Sequence, residues 1–354
     1  MATPKLFEPV TFRSVTARNR ITVSPMCQYS AHEGLGNDWH VQHLGARATG
    51  GAGIVFTEAT HVSAVGRITP GCLGLYTAEH QAHLTRLAAI ITKGGAVPGI
   101  QIAHAGRKAS SVVPWEGAKM VPPEAGGWTP LGPTAEKFGE AYAAPHPIST
   151  SEIAEIVTQF AQTVRMARAA GFKIIELHAA HGYLIHSFLS PISNTRNDSY
   201  GGDMTGRSRL LMEVLEAATK EWPEDLPIFV RISTVDHLPG GLTVQDSIDL
   251  ARRLKATNRV DLIDCSSGGI AATGTRIPSL HPGYQVPYAE AIKHQAQIPT
   301  GAVGLITAAS HAAEIIGNDR ADLVFLARAV LADPAWPLRA AKELGAPIPL
   351  PPQY

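Results

Sequence analysis

Cysteine is scarce in this chain: three in 354 residues, Cys27, Cys72 and Cys265, with no Cys-x-x-Cys pair among them. Spacing of that kind supports no disulfide framework. An excess of charge of either sign is missing too. Thirty Lys and Arg balance thirty Asp and Glu, so no electrostatic nucleic-acid partner and no acidic tail is implied. No apolar run is long enough to span a bilayer. The opening residues, Met1-Ala-Thr-Pro-Lys-Leu6, have none of the apolar core of a signal peptide. Internal repeats and low-complexity tracts are absent as well. The expectation is a cytoplasmic protein with no membrane and no nucleic-acid partner.

What the chain does have is a large supply of apolar residues, 45% of the total, in runs that alternate between two kinds. Short strand-like runs fall at Arg20–Ser24, Ile54–Thr60, Val97–Ala103, Lys173–Leu177, Pro227–Ile232, Val260–Cys265, Pro299–Val303 and Asp322–Ala327. Helix-like segments lie between them: Trp39–Thr49, Ala78–Lys93, Ser151–Ala170, Gly206–Glu221, Thr243–Ala256, Tyr288–Gln295, Ala308–Ile316 and Pro334–Leu344. Ser151 opens the third helix and Gly171 stops it. Eight strand–helix pairs predict a single α/β domain over residues 1–354, a (β/α)8 TIM barrel. Two additions are expected: a β-hairpin at Phe7–Val15 closing the bottom as a lid, and a long Pro-, Gly- and Trp-containing loop, Gly106–Thr150, after strand three. A loop of that length over the active face reads as a second lid.

In such a barrel reactive groups sit where strands end. The most informative run follows the fourth strand: His178-Ala-Ala-His181-Gly-Tyr183. Two imidazoles three residues apart aim at one substrate atom if the backbone turns there, and the phenol two residues on supplies a proton. Other strand ends add Ser24-Pro25-Met26-Cys27-Gln28-Tyr29, Glu58-Ala59-Thr60, Gln101, His104 and Arg231. Val303-Gly304 after strand seven and Ala327-Arg328 after strand eight have the form of a phosphate site, with backbone amides and one bidentate guanidinium. Arg231 needs an anionic partner if it is buried. His40 and His43, one helical turn apart, read as helix-face residues for want of a third metal ligand. Cys72 and Cys265 read as packing.

Taken with Leu6-Phe-Glu-Pro9, Arg18-Asn-Arg20, Asp38-Trp-His40, Ser190–Gly202 and Asp333-Pro-Ala-Trp336, these motifs resemble the old yellow enzyme family of FMN-dependent ene-reductases over essentially the whole chain. Cys27, Tyr29 and the second histidine, His181, are similar to the thermophilic-like branch that includes the xenobiotic reductases. The resemblance implies FMN across the barrel mouth with Ser24, Pro25, Met26, Cys27, Ala59, Gln101 and Arg231 around the ring. Gln101 would face the pyrimidine edge, and Arg231 would balance negative charge on the reduced ring. Val303, Gly304, Ala327 and Arg328 would hold the phosphate. His178 and His181 would bind a carbonyl oxygen, Tyr183 would protonate carbon, and Tyr29 would contact the substrate. Cys27 would tune the ring potential. NADPH as reductant, small enone, enal or nitro substrates, and a homodimer or homotetramer are further implications.

Three departures stand out. Asp203-Met-Thr-Gly-Arg207 replaces the family's Ser-x-Glu-Asn-Arg helix start, which puts local capping in doubt. Ala327 stands where glycine is common before the phosphate arginine. The sequence stops at Gln353-Tyr354, so an arginine reaching a neighbour's site is not expected, although Tyr354 could still reach one. A non-redox phosphate-binding barrel, an aldolase or isomerase, is the alternative. It would need a lysine or a paired carboxylate at a strand end; no strand end carries a lysine, and Glu58 has no obvious partner.

Overall fold

The computed structural model describes residues 3–117, 119–274 and 280–353. Tyr354 lies outside the described residues. Near the N-terminus β1 (Val10–Phe12) and β2 (Val15–Ala17) form an antiparallel hairpin, Val10 opposite Ala17. It falls a few residues later than Phe7–Val15. Eight parallel strands then close a barrel in chain order. They are β3 (Ile21–Val23), β4 (Ile54–His61), β5 (Val97–Ala103), β8 (Ile174–Ala179), β9 (Ile228–Ser233), β10 (Val260–Ser266), β11 (Thr300–Ala302) and β12 (Leu323–Leu326). Two-residue strands β6 (Leu131–Gly132) and β7 (His146–Pro147) pair outside it. The closing pairs, Leu326 with Val23 and Phe325 with Thr22, join the last strand to the first. This is the (β/α)8 barrel that the alternation predicts.

The helices are α1 (Asp38–Thr49), α2 (Ala78–Lys93), α3 (Thr150–Ala169), α4 (Leu184–Leu189), α5 (Met204–Glu221), α6 (Val244–Ala256), α7 (Val286–Ala296), α8 (Ala309–Gly317), α9 (Arg328–Ala332) and α10 (Trp336–Glu343). Helix α3 shows why the sequence starts and stops it there. Ser149, not Ser151, is its cap: the Ser149 hydroxyl accepts from the Glu152 amide and Glu152 accepts from the Ser149 amide. That reciprocal pair satisfies two otherwise free donors. Ile153, Ile156, Phe160, Val164 and Ala167 then bury one stripe, and Gly171 ends the run at φ 92°. Helix α5 is capped after all: Asp203 accepts from the Gly206 amide at 3.0 Å, so one carboxylate does the work of the missing family residues. The short helices α4 and α9 carry no legible periodicity and are additions to the sequence reading.

Burial is nearly complete along β4, β8 and β9, as a parallel sheet covered on both faces requires. Inside the barrel, Ile54, Phe56, Ile174, Phe229, Leu262, Leu323 and Phe325 pack at the strand starts against Val10, Phe12, Val15 and Ala17 of the hairpin. Phe12 meets Phe229 edge-on at 5.1 Å. The long loop after β5 holds several 3-10 turns and the β6–β7 pair. Its first residues return to the barrel mouth, where Arg107 is buried and Lys108 lies over Tyr183.

Candidate active site

The groups at the strand ends come together in two linked clusters. In the first, the chain leaving β8 turns sharply, with His181 at φ 61° and Gly182 at φ 73°. Only glycine fits the second position, because a Cβ there would lie 2.1 Å from the Gly269 carbonyl. The turn is tied down on every side. The His181 amide donates to Ser233 Oγ at 2.9 Å, and the Gly182 amide donates to His186 Nδ1 at 2.7 Å. Lys108 Nζ donates to the His181 carbonyl at 2.9 Å. His186 in turn lies 3.0 Å from Asp236, both fully buried.

This scaffold sets three rings at one point. His178 is 5.1 Å from His181 and 5.0 Å from Tyr183, centre to centre. The hydrogen-bond pattern assigns the tautomers. His178 Nδ1 accepts from the Ala180 amide at 3.3 Å, which leaves the proton on Nε2. That nitrogen faces His181 Nδ1 at 3.4 Å, and His181 Nε2 lies 2.7 Å from Ser266 Oγ. Burial first, then the positive charge of Arg231, drives both histidines well below their ordinary pKa, so both are neutral. Burial, then the nearby Cys27 and Tyr29, pushes the Tyr183 phenol well up. It stays protonated throughout the physiological range.

Cys27, Tyr29 and Tyr183 pack on one patch formed by Ile68, Cys72, Ala105 and Ala109. Cys72 is buried packing in that patch and touches Cys27, whose thiol is pushed up by contact with Cys72 and then by burial. Tyr29, at φ 51°, meets Trp115 of the long loop edge-on at 6.1 Å. Met26 packs against the main core, and Pro25 is partly exposed beside it. Ser24 is buried, its amide donating to the Leu326 carbonyl. Ala59 is in register with Gln101, and Gln101 with Glu176. Gln101 donates to Glu176 at 2.7 Å. Arg231 pairs in register with both His178 and Asp264 and lies 3.0 Å from the Asp264 carboxylate.

The second cluster is a cleft of about 180 Å³ lined by Ser266, Tyr284, Gln285, Gly304, Ala327 and Arg328, with Val303 at its edge. Gly304 has φ 127°, a conformation closed to other residues. Ala327 keeps a negative φ of −115°, so alanine stands in for glycine without left-handed strain. Arg328 is exposed. Ser266 belongs to both clusters. A larger groove of about 730 Å³ lies elsewhere, on the outer surface between α5 and α6, around Arg209, Met212 and Arg253.

Some residues behave differently from the sequence reading. Glu58 does have a partner: His40 Nε2 lies 3.1 Å from its Oε1, both buried. His40 is thus an interior residue that also accepts from the Asn37 amide. His104 is a core histidine, its Nδ1 accepting from the Gly106 amide at 3.0 Å. Cys265, by contrast, is fully buried in the core, in line with its reading as packing. Ser266, Lys108, Glu176 and Asp264 were not singled out. Glu176 is the single carboxylate in the apolar run Ile174–Leu177, which was the signal available for it; Asp264 shares the run Val260–Cys265 with Asp261 and had no such mark. No group of three potential metal ligands occurs among the described residues.

Along nearly its whole length the chain is similar to known proteins. A family profile described as "NADH:flavin oxidoreductase / NADH oxidase family" matches residues 5–346. An NADPH dehydrogenase of Geobacillus sp. (strain WCH70) is 46% identical over 99% of this chain and 97% of its own length. That of Bacillus subtilis (strain 168) is 44% identical, over 99% and 98%. Among solved structures, a 2-naphthoyl-CoA reductase superposes with a TM-score of 0.86 at 26% identity, covering 97% of this chain. This chain spans about half of that larger one, 52%. Morphinone reductase, at 23% identity and a TM-score of 0.81 over 99% and 93%, shares the fold.

Proposed function

Because the chain belongs to the NADH:flavin oxidoreductase / NADH oxidase family and is an NADPH-dependent flavin oxidoreductase, we propose that it reduces the carbon–carbon double bond of α,β-unsaturated carbonyl compounds. The observation that carries this reading is the convergence of His181 and Tyr183 on His178, each ring about 5 Å from it, at one strand end. FMN suits the rest of the mouth. The Gly304–Arg328 cleft presents a cationic side chain and a glycine backbone to a phosphate. Arg231, whose Nε makes no aligned hydrogen bond, is available to an anionic ring edge. Held there, FMN would supply hydride chemistry between NADPH and the substrate β-carbon.

The protein's own groups do the remaining work. His178 and His181 hold the substrate oxygen between Nε2 of the first and Nδ1 of the second, so that negative charge developing on oxygen meets fixed donors. Only one proton lies on that axis in the free site. An oxygen entering there needs two, so His181 moves its proton to Nδ1 and accepts instead from Ser266 Oγ. Ser266 thus sets the tautomer that the reaction needs. Tyr183 delivers a proton to the α-carbon, and its hydroxyl makes no side-chain hydrogen bond among the described residues that would hold it back. Tyr29 and Cys27 shape the substrate side. Gln101, its amide held by Glu176, would keep its carbonyl oxygen for the ring. The non-redox alternative is less well served: Lys108, which lies over the Tyr183 ring, is engaged with the His181 carbonyl.

An anaerobic absorption spectrum tests this directly. The expected sequence is an oxidised flavin spectrum that NADPH bleaches and 2-cyclohexenone restores. Protein that remains colourless after incubation with FMN refutes the cofactor. Bleaching without restoration refutes the substrate class.

A further inference from the structure

Below the reactive rings lies a polar layer whose two carboxyl groups are given no proton in these steps. Glu176 on β8 and Asp264 on β10 are both fully buried, with Arg231 on β9 and Gln101 on β5 beside them. The charged groups facing Glu176 are Asp264 and Arg231; Asp264 faces Arg231. His178, two residues beyond Glu176 on the same strand face, is neutral. Glu176 Oε1 accepts from Gln101 at 2.7 Å, while its Oε2 has no partner. Arg231 Nε lies 3.0 Å from Asp264 Oδ2, yet neither Asp264 oxygen receives an aligned hydrogen bond. Two carboxylates against one guanidinium would leave a net negative charge in the barrel interior, where Glu176 and Asp264 are both fully buried. A buried, unpaired carboxylate keeps its proton rather than ionise. The guanidinium sits on Asp264, and Glu176 has only an amide, so the proton belongs on Glu176.

We propose that this layer is a proton store serving the cofactor site: Glu176 is a carboxylic acid at neutral pH, and Asp264 takes a proton from solvent when the cofactor is reduced. The second half rests on the flavin reading above. Hydride from NADPH brings two electrons and its own hydrogen nucleus, leaving one additional negative charge beside Arg231. Two anions then compete for one guanidinium. As its share of Arg231 falls, the Asp264 carboxylate binds one proton from water, and releases it when the hydride leaves for substrate. Burial already pushes both carboxyl groups up, with Arg231 pulling against it, which agrees with this order of protonation.

Two measurements decide it. Infrared difference spectra of the apoprotein in H2O and D2O report protonated carboxyl groups without any cofactor. A buried acid band is expected at pH 8, retained in Asp264→Asn and lost in Glu176→Gln. A parent spectrum without that band, or one unchanged by Glu176→Gln, overturns the assignment. Proton uptake during anaerobic reduction by stoichiometric NADPH, followed with an indicator dye at pH 8, tests the second step. The parent and Glu176→Gln should each take up about one solvent proton per FMN, and Asp264→Asn close to none. Equal uptake in all three overturns it. Failure to bind FMN strikes the flavin reading, and absence of the apoprotein band strikes the store. If Asp264→Asn does not fold, zero uptake in Glu176→Gln or in the parent still refutes the scheme.

Discussion

Replacing Tyr183 by phenylalanine isolates one oxygen atom in the site. The ring keeps its edge contact with His178 at 5.0 Å and its place beneath the Lys108 ammonium, 5.0 Å from the ring centre. Fold and cofactor binding should therefore persist, and only the proton source is lost. General-acid catalysis is worth roughly 10²- to 10⁴-fold, which corresponds to about 3–5 kcal/mol of barrier at 1.36 kcal/mol per tenfold change. The loss should fall on one half of the cycle. Stopped-flow mixing of reduced enzyme with 2-cyclohexenone should slow by that factor, whereas bleaching by NADPH should remain within about twofold of the parent, since no proton from Tyr183 enters that step. The phenol is pushed well above its ordinary pKa by burial and the nearby Cys27 and Tyr29, so the parent's enone step should show no loss of rate up to pH 9. Equal slowing of both half-reactions, or an enone step that Tyr183→Phe leaves intact, refutes the proton-donor role.

The remaining expectations concern neighbouring groups. His178→Ala removes a donor to the substrate oxygen. Phenol binding, read from the flavin spectrum, should weaken by about 10- to 100-fold, the range expected for a hydrogen bond to a charged acceptor, while the protein stays yellow; unchanged affinity removes His178 from the oxygen site. Ser266→Ala takes away the hydroxyl that supports the Nδ1–H tautomer of His181. Phenol affinity should fall about fivefold, near 1 kcal/mol, with the rate of NADPH bleaching held; no loss of affinity refutes the tautomer argument. His104, fully buried, has its pKa lowered to about 3, first by burial and then by His61. An unfolded histidine titrates near 6.5, so below that pH the unfolded state binds the extra proton and stability falls as pH falls. Between pH 6.5 and 5 the contribution is about 2 kcal/mol. His104→Gln keeps an acceptor for the Gly106 amide and should reduce the drop in urea-unfolding free energy between pH 7 and 5 by that amount; an undiminished drop refutes the assignment.

The barrel was legible because its strands are buried on both faces and so appear as unbroken apolar runs, with boundaries within one or two residues of the structure. The same uniformity hid what faces inward. In the run Lys173–Leu177 the two-residue alternation of a strand cannot be seen among apolar neighbours, so Glu176 passed as one polar residue in an apolar segment, although its burial is the most informative fact about it. Ser266 was hidden for a different reason. Its role depends on His181 arriving from another strand end 85 residues away in sequence, and no local pattern carries that. Lys108 was lost inside the Gly106–Thr150 loop, where residue order gives no guide to the path of the chain. The helix caps failed by small margins: Ser149 and Ser151 are both good capping residues, and only the reciprocal bond with Glu152 selects the first.

The inward columns show how one architecture meets conflicting demands. Along β8, Ile174, Glu176 and His178 follow one another on the inner face; along β9 the column is Phe229, Arg231 and Ser233, and along β10 Leu262, Asp264 and Ser266. Each begins with an apolar residue packed on the hairpin, continues with a buried ionisable group and ends in a hydrogen-bonding group at the mouth. The order is physically forced. The apolar floor excludes water, which strengthens every electrostatic interaction above it. The charged middle would be too costly to bury without internal pairing. The upper groups then work in a field fixed by the layer beneath, and His178 and His181 are held neutral by burial and by Arg231. Neutral histidines can exchange one proton along the His178–His181–Ser266 line without changing their total charge. A charge-neutral donor pair above a guanidinium is what an oxygen that gains negative charge only during reaction requires, because donors already ionised would bind the neutral starting carbonyl more tightly as well. The middle layer thus belongs to the chemistry as much as the rings do.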